Sequence, residues 1–91
     1  MEFITEPNRI FVREDDELLA EVTYPAAGPD IVVIDHTWVS ARLRGRGVAG
    51  QLMERAAAEL RRTGRRARLT CSYAVKWWPQ HPEYAELLAQ P

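Results

Sequence analysis

Apolar and polar residues alternate near the start of the chain. The alternation runs through residues 9–14, stops at Asp15-Asp16, and resumes over residues 17–24. A period of two is typical of half-buried strands, so these two segments predict a β-hairpin with its turn at the aspartates. The stretch before Arg9 predicts irregular chain. Residues 25–30 contain glycine and two prolines and predict the next turn.

A continuous apolar segment follows and then a helical pattern. Residues 30–39 predict one central strand, covered on both faces in its first half. Residues 46–63 predict the main helix, because apolar residues recur there at helical spacing and Gly64 follows as its C-terminal cap. The predicted buried stripe comprises Val48, Ala49, Leu52, Met53, Ala56, Ala57 and Leu60. Gly50 interrupts good helix formers, which suggests close approach of the sheet or of a ligand.

The last third of the chain completes a strand–helix–strand unit. Residues 67–72 predict a strand parallel to residues 30–39 with a right-handed crossover. Residues 73–78 predict a short helix stopped by Pro79, and Pro82 opens a last helix, with His81 as a candidate cap. The pattern favours one α/β (α+β) domain over residues 1–91, with a compact mixed sheet of about four strands and short C-terminal helices.

The connection between the central strand and the main helix is rich in glycine and arginine. A loop in this position points backbone N–H groups and the positive end of the helix dipole at an anion. The residues expected to hold that anion are Arg44, Gly45, Arg46, Gly47, Val48 and Ala49. A Walker loop is excluded because Gly47 is not followed by Lys-Ser/Thr. The dinucleotide string fits through Gly50, but no acidic residue follows about 20 positions later.

Charge is divided unevenly along the chain. Residues 1–38 have a net charge of −7 and residues 39–91 a net charge of +6. The basic half indicates an anionic partner such as a phosphorylated cofactor. Arg61, Arg62 and Arg65 are expected to be solvated and paired with acidic residues, and nucleic acid is not expected as a partner. No apolar run has membrane length and Cys71 is the single cysteine, so we expect a cytoplasmic protein without membrane or metal.

Four stretches, taken in order, define a resemblance. Arg42-x-x-Gly45-x-Gly47 resembles the pyrophosphate-binding motif of the GNAT N-acetyltransferase superfamily. His36-Thr37-x-Val39, Cys71-Ser72-Tyr73 and His81-Pro82-Glu83-Tyr84 are similar to segments of very small, single-domain GNAT proteins. The resemblance covers residues 8–88. The chain differs from that subfamily at one position, since the subfamily tends to carry glutamate where this chain has Trp38.

The resemblance implies a function and a ligand. A GNAT protein binds acetyl-coenzyme A, releases coenzyme A, and acetylates an amine, here either a small molecule or a protein lysine. The pantetheine arm of the coenzyme inserts where two parallel strands of the protein splay apart. Here a backbone N–H near Val39 would polarise the thioester carbonyl. The missing glutamate leaves a second hypothesis open, a protein that binds coenzyme A or acetyl-coenzyme A without catalysis.

Three side chains are candidates for catalysis, each with a structural alternative. Cys71 either accepts the acetyl group or is a small core residue. Tyr73 would lie on the same side as Cys71 if the strand persists, and either protonates the leaving thiolate or packs on Trp77. His36 either acts as a base or is a satisfied strand histidine, and Asp35 is expected on the opposite face. The default expectation is a site without a dedicated base.

Overall fold

A computed structural model describes residues 1–89, which form seven strands and two α-helices. In chain order these are β1 (Phe3–Glu6), β2 (Arg9–Glu14), β3 (Glu17–Thr23), β4 (Ala26–Gly28), β5 (Ile31–Ile34), β6 (His36–Val39), α1 (Val48–Thr63), β7 (Arg66–Leu69) and α2 (Ser72–Trp77). Short 3₁₀ helices cover Ala41–Leu43, Trp78–Gln80 and Pro82–Leu87. The strands form two sheets, in the orders β1-β2-β3-β6 and β4-β5-β7. The α+β class is confirmed, with more strands than the four or so predicted.

Strands β2 and β3 form the hairpin that the alternation predicts. Asp15 and Asp16 connect them with positive φ angles of 49° and 67°, as a two-residue type I′ turn requires. The stretch before Arg9, predicted as irregular, is instead the edge strand β1, paired with β2. The guanidinium of Arg55 on α1 lies 4.1 Å from the centre of the Phe3 ring. This edge strand therefore depends partly on a long-range contact that alternation cannot reveal.

The predicted turn over residues 25–30 is partly a strand. Ala26–Gly28 pairs antiparallel with β5, and the N–H of Val33 donates to the carbonyl of Pro25 at 2.9 Å. Asp30, with a φ of 60°, reverses the chain between the two strands. The glycine and proline residues predict a turn here, so the short strand β4 was not predicted from the sequence.

The predicted central strand over residues 30–39 is broken at Asp35, and its halves belong to different sheets. Strand β5 pairs parallel with β7, whereas β6 pairs antiparallel with β3. At the break, the Asp35 N–H donates to the carbonyl of Thr23 at 3.3 Å, and the Thr23 hydroxyl donates to the Asp35 carboxylate at 2.6 Å. These two hydrogen bonds stabilise the point at which the chain passes from one sheet to the other.

The predicted strand over residues 67–72 is also shorter than expected, since β7 ends at Leu69. The N–H groups of Thr70 and Cys71 both donate to the carbonyl of Ile34, each at 3.1 Å. The chain therefore turns away instead of continuing beside β6. We call the resulting gap between β6 and residues 70–73 the split.

Helix α1 begins two residues later than predicted and ends as predicted. Gly47 precedes it in a left-handed conformation, and Gly64 closes it by donating its N–H to the Leu60 carbonyl. Six of the seven stripe residues are buried, and Ala49 is half-buried. The helix covers the face of the first sheet that carries Ile10, Val12 and Val22, which burial of apolar surface stabilises.

The C-terminal segment folds as predicted in outline. Helix α2 is followed by a 3₁₀ turn containing Pro79, and Pro82 opens a second 3₁₀ helix in place of an α-helix. The His81 ring does not cap it, because one ring nitrogen contacts the Trp77 carbonyl at 2.8 Å and the ring stacks on Trp77. Among residues 1–89, no helix is long and apolar enough to cross a membrane.

Candidate active site

The glycine loop lines a cavity of about 250 Å³ at the Val39 end of the split. Seven of the ten predicted site residues line this cavity, together with Leu43 and Gly50. The lining residues are Val39, Leu43, Arg44, Gly45, Gly47, Val48, Ala49, Gly50 and Tyr73. Arg46, Cys71 and His36, the other predicted site residues, do not line this cavity.

Local interactions fix the shape of the loop. The Ser40 hydroxyl accepts a hydrogen bond from the Arg42 N–H at 3.2 Å and caps the 3₁₀ turn, and the buried side chain of Leu43 anchors it. Gly45 and Gly47 then take φ angles of 82° and 70°. Side chains other than glycine rarely adopt this conformation. The loop thereby delivers the first turn of α1, whose N–H groups have no partner within the helix, to the cavity.

The three arginines of the loop differ in their surroundings. Arg42 forms an ion pair with Glu17 at 2.5 Å, so its charge is already compensated. Arg44 and Arg46 are exposed, and the described residues 1–89 supply no carboxylate within ion-pair distance of either. Arg61, Arg62 and Arg65 contact Glu86, Glu59 and Asn8, away from the loop. Arg44 and Arg46 are therefore the cations that the loop leaves available.

The backbone of β6 offers a hydrogen-bond donor to the split. The Ser40 N–H donates to the Leu19 carbonyl of β3 at 2.7 Å, so the Ser40 N–H points towards β3. Because successive N–H groups of a strand point to opposite sides, the N–H of Val39 points away from β3 and towards the split. This is the donor that the sequence analysis expects near Val39.

Cys71 faces β6 across the split. Its thiol lies 3.2 Å from the hydroxyl of Thr37, to which it can donate a hydrogen bond. Thr37 and Val39 share one face of β6. Cys71 therefore lies next to the face of β6 that reaches the cavity at Val39. The residue is 9% exposed. Cys71 thus has the small, mostly buried environment of a core residue while bordering the split.

Tyr73 lies in the first turn of α2, so the predicted strand geometry does not apply to it. Its side chain is 38% exposed and lines the loop cavity. Burial raises the pKa of its hydroxyl above the ordinary value, which keeps it protonated at neutral pH. A Cβ added at Gly50 would lie 3.6 Å from this hydroxyl, an ordinary contact. Nε1 of Trp77 would lie 3.7 Å from the same Cβ, so the groups that approach Gly50 are the side chains of Tyr73 and Trp77, rather than the sheet.

His36 lies on the other face of β6. Its Nε2 atom is 3.4 Å from the Oε1 atom of Glu21, and the second carboxylate oxygen of Glu21 accepts a 2.5 Å hydrogen bond from Arg9. Glu21 is directly opposite Trp38 in the register of β3 and β6. The sequence analysis did not find Glu21, because the alternation of β3 shows its face but not its neighbouring strand.

Asp35 does not take the position opposite to His36 that alternation predicts. It lies in the break between β5 and β6 and accepts a hydrogen bond from Thr23, the register partner of His36. A second cavity, of about 590 Å³, adjoins this end of β6 and is lined by Glu6, Pro7, Asn8, Arg9, Thr23, Pro25 and Asp35. The two cavities therefore lie at opposite ends of β6.

Comparison with known proteins identifies the family of the chain. The family model described as GCN5-related N-acetyl-transferase matches residues 9–87. The chain therefore belongs to the GCN5-related N-acetyltransferase, or GNAT, family. No curated protein matches the chain.

Solved structures show the same fold. The solution structure of a Staphylococcus aureus protein assigned to the GCN5-like N-acetyltransferases is 25% identical, with a TM-score of 0.80 over 99% of this chain and 89% of that one. A Desulfovibrio desulfuricans protein assigned to the GNAT acetyltransferases is 22% identical, with a TM-score of 0.58 over 86% of this chain and 52% of that one. The ribosomal-protein-alanine N-acetyltransferase of Brucella melitensis is 18% identical, with a TM-score of 0.59 over 91% and 63%. The last two support the fold alone.

Proposed function

We propose that this chain transfers the acetyl group of acetyl-coenzyme A to a primary amine, with the loop from Arg44 to Ala49 holding the phosphates. The observation that carries the proposal is the split, at whose end the loop, Val39 and Tyr73 line one cavity. Groups suited to phosphate binding, carbonyl polarisation and proton donation are thereby neighbours. Membership of the GNAT family supports the same chemistry.

Binding of the phosphates rests on three features of the loop. The free N–H groups of the first turn of α1 and its dipole favour an anion. Gly45 and Gly47 carry no Cβ, so a phosphate oxygen approaches the backbone closely. Arg44 and Arg46 add positive charge without an internal carboxylate partner in residues 1–89. Together these features favour a diphosphate over a neutral ligand.

Acetyl transfer requires stabilisation of the carbonyl oxygen and a proton for the sulfur. The Val39 N–H would donate to the oxygen as negative charge develops, an interaction typically worth about 2.7–4 kcal/mol. The amine nitrogen forms a bond to the carbonyl carbon, and the carbon–sulfur bond breaks. The Tyr73 hydroxyl, which is protonated at neutral pH, then gives its proton to the released sulfur, and the new amide nitrogen loses its extra proton to water, from which the tyrosinate regains one.

Cys71 offers a second route for the acetyl group. In that route the Cys71 sulfur forms the bond to the carbonyl carbon and coenzyme A leaves with the thiol proton. The amine then attacks the new thioester, its carbon–sulfur bond breaks, and Cys71 regains a proton from the amine. Such a covalent route releases coenzyme A before any amine is present, whereas direct transfer does not. The contact between Cys71 and Thr37, on the Val39 face of β6, supports this route.

Calorimetry tests the binding part of the proposal. We expect pantetheine, the probe that lacks the phosphates, to bind with lower affinity or with release of less heat than coenzyme A. At 100 times its dissociation constant, coenzyme A should add about 2.7 kcal/mol to the free energy of unfolding. Equal affinities for pantetheine and coenzyme A would exclude the loop as a phosphate site.

Thiol release from acetyl-coenzyme A tests the catalytic part. Primary amines that carry different charges and lengths, including a lysine-containing peptide, should each be assayed for amine-dependent thiol release. Release with at least one amine supports acetyl transfer. Tight binding of coenzyme A without thiol release for any amine or pH would instead identify a non-catalytic binding protein.

A further inference from the structure

We infer that Trp77 binds the pantetheine arm of the coenzyme, with its indole N–H donating to the amide carbonyl nearest the sulfur. The inference rests on the proposed binding of acetyl-coenzyme A in the split. Trp77 ends α2, one helical turn after Tyr73. Two features carry the inference: an unpaired N–H group on a nearly buried side chain, and a glycine in α1 that leaves the space in front of that group open.

The Trp77 side chain is nearly buried, but its N–H group has no acceptor. The residue is 6% exposed, and within residues 1–89 its Nε1 atom forms no hydrogen bond, whereas Nε1 of Trp78 donates to the Tyr84 carbonyl at 2.9 Å. Tyr24 has the one fully enclosed side-chain polar atom without a partner in this part of the chain, so Nε1 of Trp77 still reaches the surface. Because a tryptophan N–H usually finds an acceptor, we assign the missing one to a ligand.

Gly50 of α1 keeps the space in front of the indole open. A Cβ added there would lie 3.7 Å from Nε1 of Trp77 and 3.6 Å from the Tyr73 hydroxyl, both ordinary contacts. Neither packing nor backbone requires glycine here, since its φ angle is not positive, and glycine weakens a helix relative to alanine. A methyl group would instead fill the space that both donors face. Gly50 and Tyr73 line the loop cavity, so this space belongs to the proposed coenzyme site.

The identity of the acceptor follows from the neighbour of the indole. Tyr73 is the proposed proton donor to the sulfur, and its hydroxyl borders the same space as the N–H of Trp77. In coenzyme A, two methylene groups and a nitrogen separate the sulfur from the nearest carbonyl carbon, whereas the diphosphate lies at the far end of the arm. That amide therefore reaches Trp77 when the sulfur meets Tyr73. A neutral acceptor also suits a nearly buried position better than an anion does.

The contact would orient the reacting end of the coenzyme. The indole plane is held in place, because the Trp77 ring stacks on His81 at 3.8 Å and on Tyr84 at 5.8 Å between ring centres. An indole N–H is a donor only. Trp77 therefore binds and orients the arm but transfers no proton, and the affinity for the arm is the property that it controls.

Proton–nitrogen NMR spectra of the whole protein test the contact directly, because each tryptophan gives one indole N–H signal. The chain contains Trp38, Trp77 and Trp78. Trp78 is an internal control, since its N–H already donates to a carbonyl, and Trp38 lies on the face of β6 opposite to Val39. Each signal is assigned through couplings to its own backbone. The probes are coenzyme A, pantetheine and inorganic diphosphate, each added until the spectrum stops changing.

We expect coenzyme A and pantetheine to move the Trp77 indole proton to higher frequency and to slow its exchange with water, as a new hydrogen bond does. Inorganic diphosphate should move the backbone amides of residues 44–49 but not this signal. The Trp38 and Trp78 signals should stay in place with all three probes. Trp77→Phe, which keeps a stacked ring, should weaken coenzyme A and pantetheine binding about tenfold, and Trp78→Phe should not.

Gly50→Ala tests the open space independently of the indole. The added methyl group should raise the melting temperature, because alanine favours the helix over glycine. It should also weaken coenzyme A and pantetheine binding about tenfold, because it occupies the space in front of Trp77. Gln51→Ala places alanine at the next, exposed position of α1 and should leave both affinities unchanged. A more stable Gly50→Ala variant with full affinity would show that the arm does not enter this space.

The remaining outcomes separate the inference from the proposed function. A Trp77 signal that stays in place while the loop amides respond to coenzyme A overturns the inference and leaves coenzyme binding intact. A Trp77 signal that responds to diphosphate but not to pantetheine overturns the amide as the acceptor. Equal responses of Trp77 and Trp78 indicate a rearrangement of α2 in place of a specific contact and overturn it as well. A spectrum that coenzyme A leaves unchanged throughout overturns the proposed function itself.

Discussion

Gly47 and Gly64 adopt nearly the same left-handed backbone at opposite ends of α1. Their φ and ψ angles are 70° and 21° for Gly47, and 71° and 25° for Gly64. A Cβ added at either position would meet nothing within 4 Å. The two glycines therefore carry the same conformational penalty for substitution, while only Gly47 lines the loop cavity.

This pair provides a matched test of the phosphate loop. Valine at either position should destabilise the fold to a similar extent, by about 1–2 kcal/mol, because both backbones are left-handed. Only Gly47→Val should also weaken coenzyme A binding, by about a hundredfold, since close approach to the backbone is lost there. Calorimetry and thermal melts separate the two effects. Equal loss of affinity in Gly64→Val would mean that strain in α1, and not the loop, controls binding.

Local signals account for what the sequence analysis predicted well. The hairpin turn at Asp15-Asp16, the stripe of α1 and the cap at Gly64 each depend on residues close together in the chain. The part of the cavity lining that the loop supplies follows from the same locality, because the loop connects β6 to α1, whereas Tyr73 comes from the distant helix α2. Such features need only spacing and backbone preference.

The features that the sequence analysis missed depend on distant partners. The sequence of residues 31–39 does not reveal that the chain changes sheets at Asp35, since that change depends on Thr23 twelve residues earlier. The contact between Glu21 and His36 follows from the same change of partner. Register between strands that are not neighbours in sequence is not contained in alternation alone.

The charges of the loop should contribute unequally to binding. Arg44→Gln should weaken coenzyme A binding about tenfold at low salt, because an arginine–phosphate contact is charge-assisted. Arg46→Gln should have a smaller effect, as Arg46 does not line the cavity, and Arg42→Gln the least, as Glu17 already compensates Arg42. The differences should shrink in high salt. Calorimetry at two salt concentrations checks the order, and an effect of Arg42→Gln equal to that of Arg44→Gln would contradict it.

We expect the Tyr24 side chain to make the free energy of unfolding fall at alkaline pH. Burial, the largest cause, and the charge of Glu59 raise its pKa from 10.0 to about 12. Folding therefore favours the neutral phenol, so this contribution to stability is complete below pH 10 and is lost as pH rises towards 12. Tyr24→Phe should remove that part of the alkaline loss, seen in chemical unfolding at pH 8 to 12.

The same substitution should be favourable at neutral pH. The Tyr24 hydroxyl is buried without a hydrogen-bond partner among residues 1–89, and an unsatisfied buried group costs about 1–3 kcal/mol. Tyr24→Phe should therefore raise the free energy of unfolding, provided that the ring keeps its packing. Tyr84→Phe, at a half-buried tyrosine, is the control. An alkaline transition identical in Tyr24→Phe and the unmodified protein would refute the assignment.

Tyr73 should affect turnover more than binding. Removing its hydroxyl with Tyr73→Phe should lower kcat about a hundredfold if it protonates the leaving sulfur. Coenzyme A affinity should change little. Because burial raises its pKa above 10, this proton should be present throughout neutral pH and be lost only in strong alkali. Steady-state kinetics beside Tyr84→Phe tests this, and unchanged kcat would assign Tyr73 to packing.

Cys71 and Thr37 allow the covalent route to be tested without an amine. Incubation with acetyl-coenzyme A alone should add one acetyl group, detected by intact-mass measurement, and Cys71→Ala should abolish it. Hydroxylamine should remove the group, because thioesters react with it and amides resist. Thr37→Val keeps the shape of the threonine but loses the hydroxyl that contacts the thiol at 3.2 Å.

That hydroxyl can turn to donate to a thiolate, which favours the reactive form of the cysteine. Thr37→Val should therefore slow acetylation by up to about tenfold, as one hydrogen bond to a charged sulfur is lost. Thr70→Val makes the same change at the exposed residue before Cys71 and should have little effect. A protein that is never acetylated, together with full turnover in Cys71→Ala, would show that the acetyl group passes directly to the amine and that Cys71 only packs against β6.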